Sequence, residues 1–206
     1  EYVRHFSKAG IPVLLFEHKK HDTLPENVAT LASGLYSGAR TGVNHLISRG
    51  KKNIIYIDRI SRRGNVSGPS DLRLSGYLDE LHDHGLEAGG DTVIAGCHTE
   101  EELTETVADY LRCHDQVDGM MGRNDMVACI AMQAAIGIGK RVPADIGVVG
   151  FDNSSISRFC SPKLTTLEMQ REEISRTVID MMVQMIGGQM PENATFETKL
   201  IIREST

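Results

Sequence analysis

The sequence predicts an α/β protein built on parallel sheet. Three observations lead there. Short, continuously apolar runs recur along the chain, stripes of apolar residues at helical spacing separate them, and glycines stand where those stripes stop. Strands alternating with helices make right-handed βαβ units, whose sheet must be covered on both faces.

Ile11 to Phe16 is the first such run, apolar throughout as in a strand buried on both faces. Ala39, Val43, Leu46 and Ile47 share one helical face that Gly50 ends, and Ile54 to Ile57 is a second strand. Leu74, Tyr77, Leu78 and Leu81 form the next stripe, closed by Gly85, and Thr92 to Ala95 reads as a short strand. Thr99-Glu100-Glu101-Glu102 is a capping box, in which the Thr99 hydroxyl and the Glu102 carboxylate each take a backbone N–H at a helix start. The helix it opens is expected to bury Leu103, Val107, Tyr110 and Leu111. Val117 to Met121 is a strand, followed by a helix bearing Val127, Ile130, Ala131, Ala134 and Ile138 that Gly139 closes. Ile146 to Phe151 is the most strand-like run of the chain. A last long helix carries Ile174, Val178, Met181, Met182 and Met185, the methionines expected in the core, and stops at Gly187-Gly188. Phe196 to Ile202 is the final strand.

Composition narrows the function classes. At 206 residues, 40% hydrophobic and 24% charged, the chain is globular rather than disordered and long enough for one large domain or two small ones. The 22 Lys+Arg against 28 Asp+Glu leave a net charge of -6, which speaks against a nucleic-acid surface spread over the whole molecule. No apolar run approaches the ~18 residues of a membrane-spanning helix. The first residues lack the basic-then-apolar layout of a signal peptide, so we expect a soluble, intracellular protein. Cys97, Cys113, Cys129 and Cys160 are scattered without a C-x-x-C pair and are expected to be reduced and mostly packing. Asn65-Val66-Ser67, Asn153-Ser154-Ser155 and Asn193-Ala194-Thr195 match the glycosylation acceptor pattern, a coincidence in a chain with no secretory signal.

Ligands of parallel sheets bind beyond the carboxyl ends of the strands. That rule selects Glu17, Asp58-Arg59, Gly96 to Thr99, Arg123-Asn124-Asp125 and Asp152-Asn153. The motifs of common catalysts are missing: no G-x-G-x-x-G follows a strand, and there is no P-loop and no G-x-S-x-G elbow. His82 and His84 would point about 200° apart on a helix and so cannot share a metal; they read as solvated positions. His18 and His21 sit in a polar surface loop. Asp125 and Asp152 suggest a pair of acids for glycoside chemistry, but carboxylates at strand ends more commonly cap helices or bind hydroxyls. What remains suits a polyhydroxylated or heteroaromatic small molecule. Asp152 accepts two hydroxyl hydrogen bonds, Asn124 donates and accepts, and Arg73 offers a rigid fork of donors, although Arg73 also suits a plain surface helix charge after the polar stretch Ser61 to Ser70. Binding without a nucleophile or base points to a receptor and not to an enzyme; no cofactor and no metal is expected.

Several segments resemble the lactose/galactose-repressor (LacI/GalR) type of transcription regulator. They are Gly38-Ala39 followed by His45 to Ile54, then Arg73-Leu74-Ser75-Gly76-Tyr77, then Val117-Asp118-Gly119 with Asn124-Asp125-Met126. Most specific is Val142 to Asp152 (Val-Pro-Ala-Asp-Ile-Gly-Val-Val-Gly-Phe-Asp), followed by Pro162 to Thr166 and the ending Arg203-Glu204-Ser205-Thr206. In order and separation they span nearly the whole chain. The Asp-Asn pair usual four residues before Gly38-Ala39 is replaced by Gly34-Leu35, so that helix is expected to lack its usual cap.

The resemblance implies an α/β fold of the type I periplasmic-binding-protein-like class, two doubly wound parallel-sheet lobes with a ligand cleft. Residues 1–30 and 168–188 would form an N-terminal lobe, here partial, and residues 32–165 and 190–206 the C-terminal lobe. Carried over by position, the effector contacts would be Glu17, Arg73, Asn124 and Asp152. His98 falls where an aromatic ring often stacks on the ligand, and Met169 where a polar side chain often faces it. The implied protein is the sensing core of a cytoplasmic regulator: a small-molecule effector, most naturally a sugar or derivative, bound by a homodimer. It would touch operator DNA only through an N-terminal helix-turn-helix headpiece that this chain does not contain, and would involve no membrane. Its runner-up is the solute-binding component of a sugar ABC transporter, which shares the fold. An α/β hydrolase or isomerase has no assembled nucleophile to support it.

Overall fold

A computed structural model describes residues 2–17, 23–60, 64, 68, 71–86 and 90–206. The loop expected at His18 to Asp22, most of the stretch Ser61 to Ser70 and the acceptor triplet Asn65-Val66-Ser67 lie outside them. The chain divides into two units, one of Glu1–Leu35 with Met169–Thr198 and a larger one of Tyr36–Glu168 with Lys199–Thr206.

The larger unit is a doubly wound sheet. Its helices are α2 (Leu35–Ser48), α3 (Leu72–Asp83), α4 (Glu100–Cys113), α5 (Asp125–Gly137) and the short α6 (Ile156–Phe159). The strands β3 (Ile54–Ile57), β4 (Val93–Ile94), β5 (Gly119–Gly122), β6 (Gly147–Phe151), β7 (Thr165–Glu168) and β9 (Lys199–Ile201) lie in the order β4-β3-β5-β6-β7-β9. All pair in parallel except β9, which runs antiparallel on β7. Every residue of β3, β5 and β6 is buried, which is why these runs are apolar without alternation.

Successive side chains of these strands still go to opposite faces. Ile55, Ile57, Met120 and Val148 join Leu103, Val107 and Leu111 of α4 and Val127, Ala131 and Ala135 of α5 in one cluster. On the other face Met121, Val149 and Leu167 surround Gly42 of α2, while the ring of Tyr77 of α3 packs tilted against Tyr56 with centroids 5.4 Å apart and its hydroxyl donates to the Ile54 carbonyl. α2 and α3 meet at Gly76, where a Cβ would stand 2.5 Å from the Tyr36 carbonyl oxygen. That contact explains the glycine of the Arg-Leu-Ser-Gly-Tyr segment.

The smaller unit holds α1 (Tyr2–Lys8), the strands β1 (Val13–Phe16), β2 (Val28–Ala32) and β8 (Ala194–Thr195) in the parallel order β1-β2-β8, and α7 (Arg171–Ile186). Ala29, Leu31, Met181 and Met185 are its buried core, with Met182 packed against them. The opposite face of α7 exposes Ile179, Val183 and Ile186.

Several elements differ from the sequence-based expectation. β2, β7 and β8 carry no signal in the sequence, and the final run expected as a strand over Phe196 to Ile202 is a strand only in part. Ala194–Thr195 joins the small sheet, where Asn193 Oδ1 accepts from Thr30 N at 2.8 Å and Phe196 N donates to the Ala32 carbonyl; only Lys199–Ile201 reaches the large one. The segment 190–198 therefore falls in the smaller unit, not in the C-terminal lobe to which it was assigned. Gly34 turns the chain with φ 86°, and a Cβ there would meet the Phe196 carbonyl at 2.7 Å, so this position takes glycine instead of the usual capping pair.

Gly76→Ala is expected to destabilise the protein by about 1–3 kcal/mol, because the helix-to-helix approach leaves no space for a methyl group. Urea denaturation followed by circular dichroism measures the loss.

Candidate ligand-binding site

The strands of the larger unit end in charge. Beyond β3 stands Asp58, 1% exposed, and beyond β5 stands Arg123, whose Nη1 lies 3.7 Å from Asp58 Oδ1. Arg123 Nη2 reaches Asp71 Oδ2 at 3.3 Å, and Asp71 Oδ1 caps α3 by accepting from Arg73 N at 2.9 Å. Arg73 closes the set: its Nη1 donates to the Arg123 carbonyl at 3.1 Å, and its guanidinium carbon lies 5.7 Å from the centre of the Phe151 ring. The Nε groups of Arg73 and Arg123 are buried without a hydrogen-bond acceptor, Arg73 Nε standing 3.6 Å from Asp71 Oδ1. The two guanidinium groups are thus fixed in direction by Asp58, Asp71 and the Arg123 carbonyl. Burial alone would raise the Asp71 carboxyl. The guanidinium and backbone N–H of Arg73, with Arg123, outweigh it and hold that carboxyl below its ordinary range.

Beyond β6, Asp152 and Asn153 have φ 104° and 46°; with Glu17 at 55° they are the non-glycine positive-φ positions among the described residues. L-residues hold such conformations only where the surroundings impose them. Here the clamp is double. Asp125, 1% exposed, accepts from Ser154 N at 2.6 Å, from Ser154 Oγ at 2.9 Å and from Thr166 Oγ1. Arg203 donates from Nη2 to Asn153 Oδ1 at 2.6 Å and from Nη1 to the Leu164 carbonyl at 2.7 Å, while Asn153 Nδ2 donates to Glu168 Oε1 at 2.6 Å. Asp152 N donates to the Leu167 carbonyl, continuing the β6–β7 ladder by one bond before the chain turns. Burial raises the Asp125 carboxyl, against the pull of the Thr166 and Ser154 donors; the nearby Asp152 charge adds to the rise. Asp125 therefore spends its oxygens inside the protein, on Ser154 and Thr166.

Of the other expected contacts, Asn124 uses Oδ1 to cap α5, accepting from Val127 N at 3.0 Å, so its amide NH2 is the part left to face a ligand. His98 is exposed, and among the described residues no contact ties its ring to the Arg73 cluster. Its backbone N–H donates to Glu102 Oε2 at 2.7 Å, so the box at Thr99 closes one residue earlier than the sequence pattern suggests. In the smaller unit, Glu17 ends β1 and its Oε1 accepts from Ser33 N at 2.6 Å and from Ser33 Oγ. The same Ser33 hydroxyl stands 3.7 Å from the Met169 sulfur, so Glu17 and Met169 share a partner.

The larger unit thus gathers Arg73, Asn124 and Asp152 at adjoining strand ends, and the smaller one joins Glu17 to Met169. Asp71 and Ser33 carry none of the sequence signals used above, and Arg203 entered only as part of the closing Arg-Glu-Ser-Thr segment. Ser33 follows a strand that was not foreseen, and the other two act through partners distant in sequence. Among the described residues, no group of three or more His, Cys, Asp or Glu could hold a metal.

The family profile described as periplasmic binding protein-like domain matches residues 43–206. The ribose operon repressor of Halalkalibacterium halodurans is 28% identical over 205 residues, covering 98% of this chain and 59% of the repressor. Among solved structures, a regulatory protein of the LacI family from Chloroflexus aggregans is 26% identical with a TM-score of 0.81, covering 98% of this chain and 71% of that one. The periplasmic binding protein/LacI transcriptional regulator from Alkaliphilus metalliredigens, complexed with D-xylulofuranose, is 28% identical with a TM-score of 0.74, covering 98% and 73%. The chain spans between 49% and 60% of the length of the curated relatives it matches.

Asp71→Asn should flatten the acid limb of stability. The Asp71 carboxyl is lowered on folding, so its contribution is present above the unfolded carboxylate range and lost as pH falls through about 4 and below. Melting temperatures of both proteins between pH 6 and 3 read this out, the variant losing less. Asp125→Ala leaves the Ser154 and Thr166 donors without their acceptor and is expected to cost about 2 kcal/mol in denaturant titration.

Proposed function

This chain belongs to the periplasmic binding protein-like family, in the form carried by LacI-type transcription regulators, and from that premise we propose that it is the effector-sensing core of a bacterial regulator whose ligand is a sugar or sugar derivative. The observation that carries the reading is the pair of guanidinium groups held rigid at the strand ends beside a strained Asp152. Fixed donors and a carboxylate acceptor match adjacent hydroxyl groups, which donate and accept at once. We assign effector contact to Arg73, Asn124, Asp152 and His98 in the larger unit and to Glu17 and Met169 in the smaller. Of these, Met169 contributes a weak acceptor and apolar surface, so the ligand's less polar edge belongs there.

The effector acts by binding one conformation of the protein better than another, and the regulator responds only as far as that difference in affinity allows. DNA contact belongs to a helix-turn-helix headpiece outside this chain, and the working unit is a homodimer in the cytoplasm. The -6 charge of this chain is compatible with that division, since the basic surface DNA requires would lie on the headpiece. Among the described residues no helix is long and apolar enough to cross a membrane. Relatives named as operon repressors favour the regulator over a transport component, and their being regulators favours binding over catalysis.

Isothermal titration with a panel of pentoses, hexoses, disaccharides and nucleosides tests the reading. Loss of one charge-assisted contact in Arg73→Ala or Asp152→Ala is expected to weaken the best ligand by about 10- to 100-fold. Affinity unchanged in both variants would remove these residues from the site.

A further inference from the structure

The segment Arg203 to Thr206 reaches the turn beyond β6 through one side chain. Ser205 anchors the segment in the sheet: its hydroxyl donates to the Val148 carbonyl at 2.6 Å and accepts from Thr165 N at 2.9 Å. Arg203 N donates to Thr165 Oγ1 at 2.9 Å, which fixes where its side chain starts. The half-buried guanidinium then spreads over three acceptors. Nη1 donates to Ser157 Oγ at 3.2 Å and to the Leu164 carbonyl at 2.7 Å, and Nη2 donates to Asn153 Oδ1 at 2.6 Å. A hydroxyl, a carbonyl and an amide oxygen carry no charge, so these bonds hold a geometry and neutralise nothing. Asn153 is gripped at its other end as well, Nδ2 donating to Glu168 Oε1 at 2.6 Å. Its amide therefore cannot rotate without breaking a bond. Asn153 at φ 46° tolerates the left-handed region, whereas Asp152 at φ 104° adopts a backbone that few side chains accept.

We propose that Arg203 is a positioning residue for effector binding: through Asn153 it holds the turn that aims the Asp152 carboxylate, without itself touching the ligand. The inference rests on the reading of Asp152 as an effector contact. Lysine is a poor substitute, because a single flexible ammonium cannot hold three acceptors at set angles.

Two double-mutant cycles on the chain test this, read by isothermal titration with the best ligand of the sugar and nucleoside panel, each variant below its own melting transition. Arg203→Met alone should weaken binding about 10-fold, and Arg203→Lys should recover part of that loss. In an Asp152→Ala background, Arg203→Met should cause no further loss, since the carboxylate it positions is gone. In an Arg73→Ala background the full loss should return, because Arg73 is held separately by Asp71 and the Arg123 carbonyl. Equal losses in the two backgrounds would mean a general structural effect and overturn the proposal, as would wild-type affinity in Arg203→Met.

Asn153→Gly suits the left-handed turn and removes only the gripped amide, so it serves if Arg203→Met does not fold. It should lose affinity to the same extent, and wild-type affinity in that variant also overturns the proposal. Binding indifferent to Asp152→Ala, or no binding by the wild type, removes the effector-site reading and the proposal with it. Failure of the proposal alone is seen where Asp152→Ala weakens binding and Arg203→Met does not.

Discussion

Burial of β3, β5 and β6 on both faces is the constraint from which the rest follows. A strand covered on both sides has nowhere to place a polar side chain along its length, so its polar groups gather where it emerges. Asp58, Arg123 to Asp125 and Asp152 with Asn153 all stand at that margin. The same burial removes water from beneath them. Charges there must find partners, and the alternation of Asp58, Arg123, Asp71 and Arg73 is what such a margin demands. Rigidity in the polar groups is therefore a product of the apolar core below them.

Much of this was legible from residue patterns. Runs with no alternation located β3, β5 and β6, and also β1, although no residue of β1 is buried as that pattern implied; the strand-end rule then pointed at Asp58, Arg123 to Asp125 and Asp152-Asn153. The omissions have a common physical cause. β7 reads Thr-Thr-Leu-Glu, too polar for a buried strand by composition, yet Thr165 and Thr166 are fully buried. Their hydroxyls are satisfied by Thr206 and Asp125, each about forty residues away in sequence. Asp71 escaped notice, and Arg203 stood out only within the closing Arg-Glu-Ser-Thr segment, for the same reason: their work is done on Arg123 and on Asn153, contacts that no local spacing encodes. Periodicity reports on burial of apolar faces and is silent about polar side chains buried by long-range pairing.

The two clusters also differ in kind. In the larger unit, charge is confronted with charge, Arg123 lying between Asp58 and Asp71. In the smaller one, Glu17 is already engaged by Ser33 and its neighbour is a thioether.

Arg203 has a consequence in time as well as in space. It grips Asn153 across a separation of fifty residues, and Ser205 reaches the Val148 carbonyl across fifty-seven. During synthesis β6 can leave the ribosome and pair with β5 long before those residues exist. Until they arrive, the left-handed turn at Asp152 has only the Asp125 side of its clamp. The sheet can thus form early while the turn beyond β6 is set late, and an interrupted chain would be a folded scaffold with that turn half clamped.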